Sequence, residues 1–197
     1  METLLSDDLI LEDDFVLLCP LQESDIEHLL PFSINEPDLW KYSLVRANGK
    51  ANLENYIQLA LKAKANKIEF PFIVFDKITG KYAGSTRFYD INLPFKTLQL
   101  GYTWYGKDFQ GTKLNKHCKY LLLEFAFERL QMERVEFRAD NNNERSINAM
   151  KSIGCKVDGV LRSNMPTAEG SRRDSIVLSI LRSEWFDGVK ENLKAKL

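Results

Sequence analysis

A glycine-containing loop between an alternating strand and a long helical pattern is the segment of this sequence best suited to chemistry. The loop reads Gly106-Lys-Asp-Phe-Gln-Gly111-Thr-Lys113 and leads into an apolar helical stripe that continues to about Leu130. The first amides of a helix have no partner inside the helix, and the helix dipole places partial positive charge there. Gly111 allows close approach of the backbone to a ligand. The sequence therefore predicts an anion site at this loop, suited to a pyrophosphate.

The same loop is close to the phosphate loop of nucleotide kinases, which requires Lys followed by Ser or Thr. Here the order is reversed, because Thr112 precedes Lys113. The lysine would miss the β- and γ-phosphates, and no hydroxyl would reach a magnesium ion. Phosphoryl transfer is thus an alternative that predicts binding of ATP.

Histidine and cysteine are too scarce for several classes of site. The two histidines, His28 and His117, cannot form a three-histidine metal site. Cys19, Cys118 and Cys155 have no Cys-x-x-Cys spacing, which argues against a zinc ribbon or a disulfide framework and predicts a reducing compartment. His117 and Cys118 are adjacent on a predicted helix, so their side chains diverge and a catalytic pair is not expected. We expect no metal.

Length and charge set broader limits. The 197 residues can bury one good core, and no linker divides them, so we expect a single domain over residues 1–197. A net charge of −1 gives no basic footprint for nucleic acid. No apolar run approaches the ~20 residues of a membrane helix, and the acidic start differs from a signal peptide. We expect a cytoplasmic monomer or homodimer without membrane or nucleic-acid partners.

The elements that must position the loop follow from apolar periodicity and turn residues. In chain order they are a strand Phe15–Leu18, a helix capped by Ser24 and ended by Pro31, a helix Asn52–Lys64, strands Phe70–Phe75, Tyr82–Asp90 and Leu98–Tyr105, a helix Lys113–Leu130, a strand Val135–Ala139, a helix ending near Gly154, and strands Val157–Met165 and Arg173–Leu181 around a turn at Ala168–Gly170. Strict alternation in the strand before the loop would place Leu98, Leu100, Tyr102 and Trp104 on one face. The polar C-terminal segment is expected to be a solvated end. This order predicts a mixed α/β fold.

Several motifs in this order resemble the GNAT (Gcn5-related) N-acetyltransferases, particularly their RimJ/RimL-like branch. Gln110-Gly-Thr-Lys-Leu-Asn115 resembles the family's acyl-CoA loop, Gln/Arg-x-x-Gly-x-Gly/Ala, with departures at Lys113 and Asn115. The other matching segments lie between about Tyr82 and Trp185; they are Gly84–Arg87, Gly101–Trp104, Asn143–Ser146, Asp158–Arg162, Arg173-Asp174 and Glu184-Trp185. The resemblance implies the acyl-CoA N-acyltransferase fold: α/β, with a mixed, mostly antiparallel sheet and one splayed parallel strand pair flanked by helices.

The resemblance also implies a cosubstrate, acetyl-CoA, and an acceptor, a primary amine on a protein N-terminus or a small molecule. Pyrophosphate would lie on the loop amides, and pantetheine would pair along Trp104–Tyr105 like an added strand. A backbone N–H near Tyr105 would then stabilise the oxyanion. The implied cofactor-binding residues are Trp104, Tyr105, Gln110, Gly111, Thr112, Lys113, Leu114, Asn115, Asn143 and Ser146.

For proton transfer, the resemblance implies Ser146 as the acid that protonates the leaving thiolate. Many relatives use a tyrosine, but the matching position here is Met150. A thiol pKa is about 8.5, so a hydroxyl donor suffices. The alternative role for Ser146 is to satisfy backbone amides at a helix start.

The base stays open, because the glutamate proposed in some relatives falls on Met165. The carboxylates to test are Asp90, Glu136 and Asp158. Trp40 and Tyr42 are candidates to touch the acceptor, and Arg87 is a candidate to bind an acidic group on it. The remaining alternative is a catalytically idle acyl-CoA-binding module.

Overall fold

The computed structural model describes residues 5–167 and 170–197, and within them one sheet organises the fold. Its strands, in chain order, are β1 (Leu11–Glu12), β2 (Val16–Pro20), β3 (Phe70–Asp76), β4 (Lys81–Asn92), β5 (Thr97–Tyr105), β6 (Arg134–Asp140), β7 (Lys156–Pro166) and β8 (Arg172–Leu181). Their order across the sheet is β1-β2-β3-β4-β5-β6-β8-β7. The predicted turn residues Ala168 and Glu169 lie outside the described residues.

Helices cover both faces of this sheet. They are α1 (Ile26–Asn35), α2 (Lys50–Ala65), α3 (Leu114–Glu124), α4 (Glu144–Ser152), α5 (Arg182–Glu184) and α6 (Lys190–Lys194). A π-helical segment, Phe125–Arg129, extends α3. A second one, Trp185–Val189, joins α5 to α6. None of the helices in the described part of the chain has the length and apolarity needed to cross a bilayer.

The pairing of β5 with β6 is the feature that positions the site. It is the sheet's one parallel pairing, and it joins only Thr97–Gln99 to Arg134–Glu136; the other neighbouring strands of the described sheet pair antiparallel. Beyond Gln99 and Glu136 the two strands separate. We call this gap the wedge. The predicted mixed, mostly antiparallel sheet with one splayed parallel pair is confirmed.

A β-bulge in β5 begins where the wedge opens. Arg87 of β4 lies opposite Gly101, and Ser85 lies opposite Trp104, so that a single residue of β4 faces two residues of β5. One of these two, Tyr102, adopts φ 48°. A bulge inserts one extra residue, bends its strand and increases the local twist. β5 therefore turns away from β6 at this point.

The bulge also shows that the predicted strict alternation in β5 is wrong. Leu98, Leu100 and Tyr105 belong to the core cluster beneath α3. Tyr102 and Trp104 pack instead in the cluster formed with α1 and α2. Because the extra residue shifts the side-chain phase by one position, the sequence pattern cannot reveal which face each later side chain takes.

The first helix differs from its prediction at both ends. A 3-10 turn, Glu23–Asp25, takes up Ser24, and α1 begins only at Ile26. The helix then continues through Pro31 to Asn35. Proline removes one backbone hydrogen bond, but the buried residues Leu29 and Ser33 on either side of it hold the helix against the core.

The C-terminal segment packs part of its residues into the core. Trp185 and Leu193 are fully or almost fully buried in the core cluster that also contains residues of α3 and α4. The Lys196 ammonium donates to the carbonyl of Ser152 at the end of α4, at 2.8 Å. Lys194 and Lys196 are exposed, as expected of a solvated end, but Leu193 beside them is buried, so the segment is only partly solvated.

Candidate active site

The loop before α3 is held by its own side chains. A 3-10 turn, Lys107–Phe109, leads to Gln110 and then to Gly111, whose φ of 74° is in the left-handed region. The Thr112 hydroxyl donates to the carbonyl of Phe109 at 2.8 Å and accepts from the amide of Leu114 at 3.2 Å. The Thr112 side chain thus ties the loop to the first turn of α3.

Successive amides at this helix start are left free. Within residues 5–167 and 170–197, the N–H groups of Gly111, Thr112 and Lys113 donate to no protein acceptor. All three residues are exposed. Consecutive free amides at the positive end of a helix make a cradle for an anion.

The side chains of the loop take different directions. The Lys113 ammonium donates to the carbonyl of Leu197, so contact with the C-terminal segment holds this side chain. Leu114 is buried in the core, and its side chain therefore serves packing rather than ligand contact. Asn115 remains half-buried in the first turn of α3.

Gln110 joins the loop to β5 and to α4. Its amide group donates to the carbonyl of Tyr105 at 2.8 Å, and its carbonyl oxygen accepts from the guanidinium of Arg145 in α4. Arg145 was missed by sequence reasoning, although it lies inside the motif Asn143–Ser146. The contact brings a cation beside the free amides.

Asn143 and Ser146 have different roles at the start of α4. The Asn143 side chain accepts from the amide of Ser146 at 3.1 Å, which caps the helix. The Ser146 hydroxyl is half-exposed and makes no hydrogen bond to the described residues. The capping role considered for Ser146 thus belongs to Asn143, and the hydroxyl is free.

The edge of β5 supplies backbone groups to the wedge. The amide of Gly106 donates to the carbonyl of Ala83 in β4 at 2.9 Å. Because bonding direction alternates along an antiparallel strand, the amides of Thr103 and Tyr105 point the other way, toward the wedge. The strand therefore presents donors along the gap.

The two aromatic side chains of this edge point away from it. Trp104 packs against Trp40 with ring centroids 5.2 Å apart. The Tyr105 hydroxyl is buried beside Cys118, and burial raises the pKa of this phenol well above its ordinary value. Trp104 and Tyr105 accordingly offer only backbone atoms to a ligand.

A cavity of about 230 Å³ lies at the carboxyl end of β6. It is lined by Lys41, Tyr42, Ser43, Leu44, Asp140, Thr167 and Arg173. The Arg173 guanidinium donates to the carbonyl of Tyr42 at 3.3 Å and so fastens the loop after α1 to β8. Of the two aromatic candidates for acceptor contact, Tyr42 lines the cavity and Trp40 is buried in the core.

Asp140 is a carboxylate in this cavity that sequence reasoning did not single out. It ends β6, is only 7% exposed, and accepts from the amide of Asn142 at 2.9 Å through Oδ1. Such a bond marks a turn, so the sequence Asp140–Asn143 indicated a connection rather than a site. The structure adds that this turn residue faces a cavity.

The three carboxylates proposed as bases are all engaged elsewhere. Asp90 accepts from Gln99 at 2.7 Å. Glu136 pairs with Arg134 and Arg138, at 3.0 and 2.7 Å, at the closed end of the wedge.

Asp158 pairs with Arg134 at 2.7 Å. Burial would raise the pKa of Asp158, but hydrogen bonds from Arg134 and Ser179 outweigh this effect and lower the pKa. Asp90, Glu136 and Asp158 therefore serve as structural partners.

Two other singled-out residues are also structural. Arg87 lies between the rings of Tyr56 and Tyr102, 4.8 and 4.1 Å from their centroids, and pairs with Glu69 at 2.6 Å. It is 3% exposed, so it braces the bulge rather than meeting solvent. His117 hydrogen-bonds Asp13 at 2.7 Å, whereas the Cys118 thiol lies beside the Tyr105 hydroxyl.

Comparison with known proteins places these features in context. A family model described as "Acetyltransferase (GNAT) domain" matches residues 16–156. A crystal structure of a provisionally assigned acetyltransferase from T. thermophilus is 31% identical, with 98% of each chain covered and a TM-score of 0.86. A GCN5-related N-acetyltransferase from Brucella melitensis is 24% identical, with 96% of this chain and 86% of that chain covered and a TM-score of 0.88.

The name of one curated relative points to a class of acceptor. The provisionally assigned ribosomal N-acetyltransferase YdaF of Bacillus subtilis is 27% identical over 106 residues. The match covers 54% of this chain and 57% of that relative's length.

Proposed function

Since the chain belongs to the GNAT acetyltransferase family, we propose that it transfers the acetyl group of acetyl-CoA directly to a primary amine. The acceptor is either a protein N-terminal α-amine or a small amine. The name of the Bacillus subtilis relative, a provisionally assigned ribosomal N-acetyltransferase, supports testing protein N-termini first. Residues 1–197 form one acetyltransferase domain in this proposal.

The observation that carries the proposal is the continuity between two sets of free amides. The edge of β5 presents the N–H groups of Thr103 and Tyr105 to the wedge. A few residues later, Gly111–Lys113 present free amides at the start of α3. An extended amide-bearing chain that ends in a diphosphate fits this arrangement, because strand addition binds the first part and a helix start binds the second.

The same geometry defines how the residues act during transfer. The Tyr105 amide is the donor for the oxyanion of the tetrahedral intermediate, since it points into the wedge. The amine nitrogen bonds to the acetyl carbon, the carbon–sulfur bond breaks, and the electron pair leaves with sulfur. The nitrogen of the new amide loses its extra proton to water, and the Ser146 hydroxyl, free at the start of α4, protonates the thiolate and is itself reprotonated from water.

The acceptor enters from the cavity at the end of β6. Asp140 attracts an ammonium group there and takes up its proton, directly or through water. Lys41 and Arg173 line the same cavity and favour acceptors that carry a carboxylate near the amine. This arrangement supports an amino acid derivative, or a peptide with an acidic residue near its N-terminus, over a polyamine.

Replacing Ser146 tests the proposed acid. Ser146→Ala is expected to lower kcat about 100-fold, because the thiolate loses its proton donor. The dissociation constant of acetyl-CoA should change far less. Steady-state kinetics and calorimetric titration measure the two effects. Ser152→Ala is the matched control, since this exposed hydroxyl at the end of α4 bonds only the carbonyl of Ala149. Equal kcat for wild type and Ser146→Ala would remove the serine from the mechanism.

Replacing Asp140 tests the base. Asp140→Asn keeps an acceptor for the Asn142 amide but removes the charge, so kcat/KM for the amine should fall about 100-fold. Asp38→Asn, on the exposed 3-10 turn Pro37–Trp40, is the control. An unchanged kcat/KM in Asp140→Asn would show that water alone deprotonates the amine.

The proposed function as a whole is tested by CoA release against a panel of N-terminal peptides, small amines and polyamines. We expect turnover with at least one peptide. Binding of acetyl-CoA without turnover on any acceptor would identify an idle acyl-CoA-binding module instead. Stabilisation by ATP but not by CoA would favour phosphoryl transfer.

A further inference from the structure

Lys119 is a buried cation that the mechanism above does not use. It lies in α3 and is only 5% exposed. No carboxylate of the described residues lies within ion-pair distance of its ammonium; its hydrogen-bond partners there are two hydroxyls. A buried lysine without an acidic partner is costly, since several kcal/mol of hydration are lost. Some use of the charge is therefore expected.

The partners of this ammonium place it beside the wedge. Its Nζ is 2.7 Å from the hydroxyl of Thr103 and 3.4 Å from that of Thr86, and the two hydroxyls are 2.7 Å apart. Thr103 lies in the bulge of β5, two residues before Tyr105. Its amide points into the wedge while its side chain meets Lys119.

The surroundings of the ammonium keep its charge available. Burial lowers the pKa of Lys119 to about 8, and the thiols of Cys118 and Cys155 lie near enough to interact with it. Burial raises the pKa of both thiols above the usual range, so they stay neutral. An ammonium has three donors, and the described residues accept only two.

From this geometry, and resting on the proposed acetyl transfer, we propose that the Lys119 ammonium stabilises the negative charge that forms on the CoA sulfur as the acetyl group leaves. The nearest partner of the ammonium, Thr103, lies on β5 two residues before the Tyr105 amide that would hold the oxyanion, and the described residues leave the third donor unused. No extra reactant is needed, because the electron pair of the broken bond becomes the charge that Lys119 meets. In a site shielded from water, this attraction is stronger than at the surface.

Titration of the thiol of bound CoA tests the proposal without any turnover. Thiolate formation is followed by ultraviolet absorbance, with the same protein lacking CoA as the blank for its own cysteines. In the wild-type complex we expect the thiol to titrate about one pH unit below free CoA. This measurement needs no variant, and a bound thiol that titrates at or above free CoA overturns the proposal.

Variants distinguish the effect of the Lys119 charge on the thiol pKa from the effect of the bulge geometry. Lys119→Met should bring the thiol pKa back toward that of free CoA, and Lys62→Met, the same change on an exposed face of α2, should not. Thr103→Val removes the hydroxyl partner but keeps the charge, so the thiol should stay acidic. If the pKa of the bound thiol rose equally in Lys119→Met and Thr103→Val, the bulge geometry and not the charge would act on the thiol. Failure of the wild-type protein to bind CoA would refute the proposed function itself, whereas binding with an unshifted thiol refutes only the role of Lys119.

Discussion

Lys113→Pro is expected to weaken acetyl-CoA binding about 10- to 100-fold, whereas Lys113→Ala should bind nearly as well as wild type. Proline removes one of the free amides at the start of α3, and a hydrogen bond to a charged group contributes about 1.5–3 kcal/mol. The substitution should leave the fold intact, because the φ of Lys113 is −72° and proline is tolerated in the first turn of a helix. Calorimetric titration with acetyl-CoA measures the difference.

The pair of variants also decides what the lysine side chain contributes. The ammonium of Lys113 is held by the carbonyl of Leu197 rather than by the loop. Alanine at this position keeps the amide and removes only that contact. If Lys113→Ala lost affinity as strongly as Lys113→Pro, the side chain would be the anion ligand and the amide cradle would be wrong.

Gly84→Ala is expected to destabilise the fold by about 3 kcal/mol, the upper end of the usual cost of overpacking. A Cβ at Gly84 would lie 2.1 Å from the carbonyl oxygen of Trp104, and the residue has φ 152°. The added methyl would push β5 away from β4 next to the wedge. Urea unfolding measures the loss, and the kcat of the surviving folded protein should fall as well.

Gly80→Ala is the matched control for this substitution. Gly80 also has a positive φ, 67°, but an added Cβ would meet no atom within 4 Å. Its cost should be that of the backbone conformation alone, about 1 kcal/mol. A similar loss of stability in Gly84→Ala and Gly80→Ala would contradict the close packing of β4 against the carbonyl of Trp104.

The helix start and its anion cradle are the parts of the site that sequence reasoning reached most directly. A glycine that allows close backbone approach and a long apolar stripe are local signals, and both lie within Gln110–Leu130. The structure supplies what local signals cannot. The Asn143 side chain accepts from the amide of Ser146 and caps α4, and only coordinates show that the Ser146 hydroxyl is then left without a partner among the described residues.

Features that depend on register were not predictable from the residues. Tyr102 looks like an ordinary strand aromatic, yet its φ of 48° creates the bulge and reverses the faces of the strand after it. Lys119 reads as a polar position of an amphipathic helix until the bulge places Thr103 beside it. Asp140 reads as a turn residue until the loop around Tyr42 closes the cavity over it. For Lys119 and Asp140 the deciding contact joins residues far apart in the chain.

Acetyl transfer to an N-terminal peptide is the measurement closest to the proposed activity. The purified protein is incubated with acetyl-CoA and a set of peptides that differ at the first residues, and products are identified by mass spectrometry. We expect a peptide to gain one acetyl group on its α-amine at the rate of CoA release, and Ser146→Ala to slow this gain. Tight acetyl-CoA binding with no acetylated peptide or small amine would show that the protein does not catalyse the transfer.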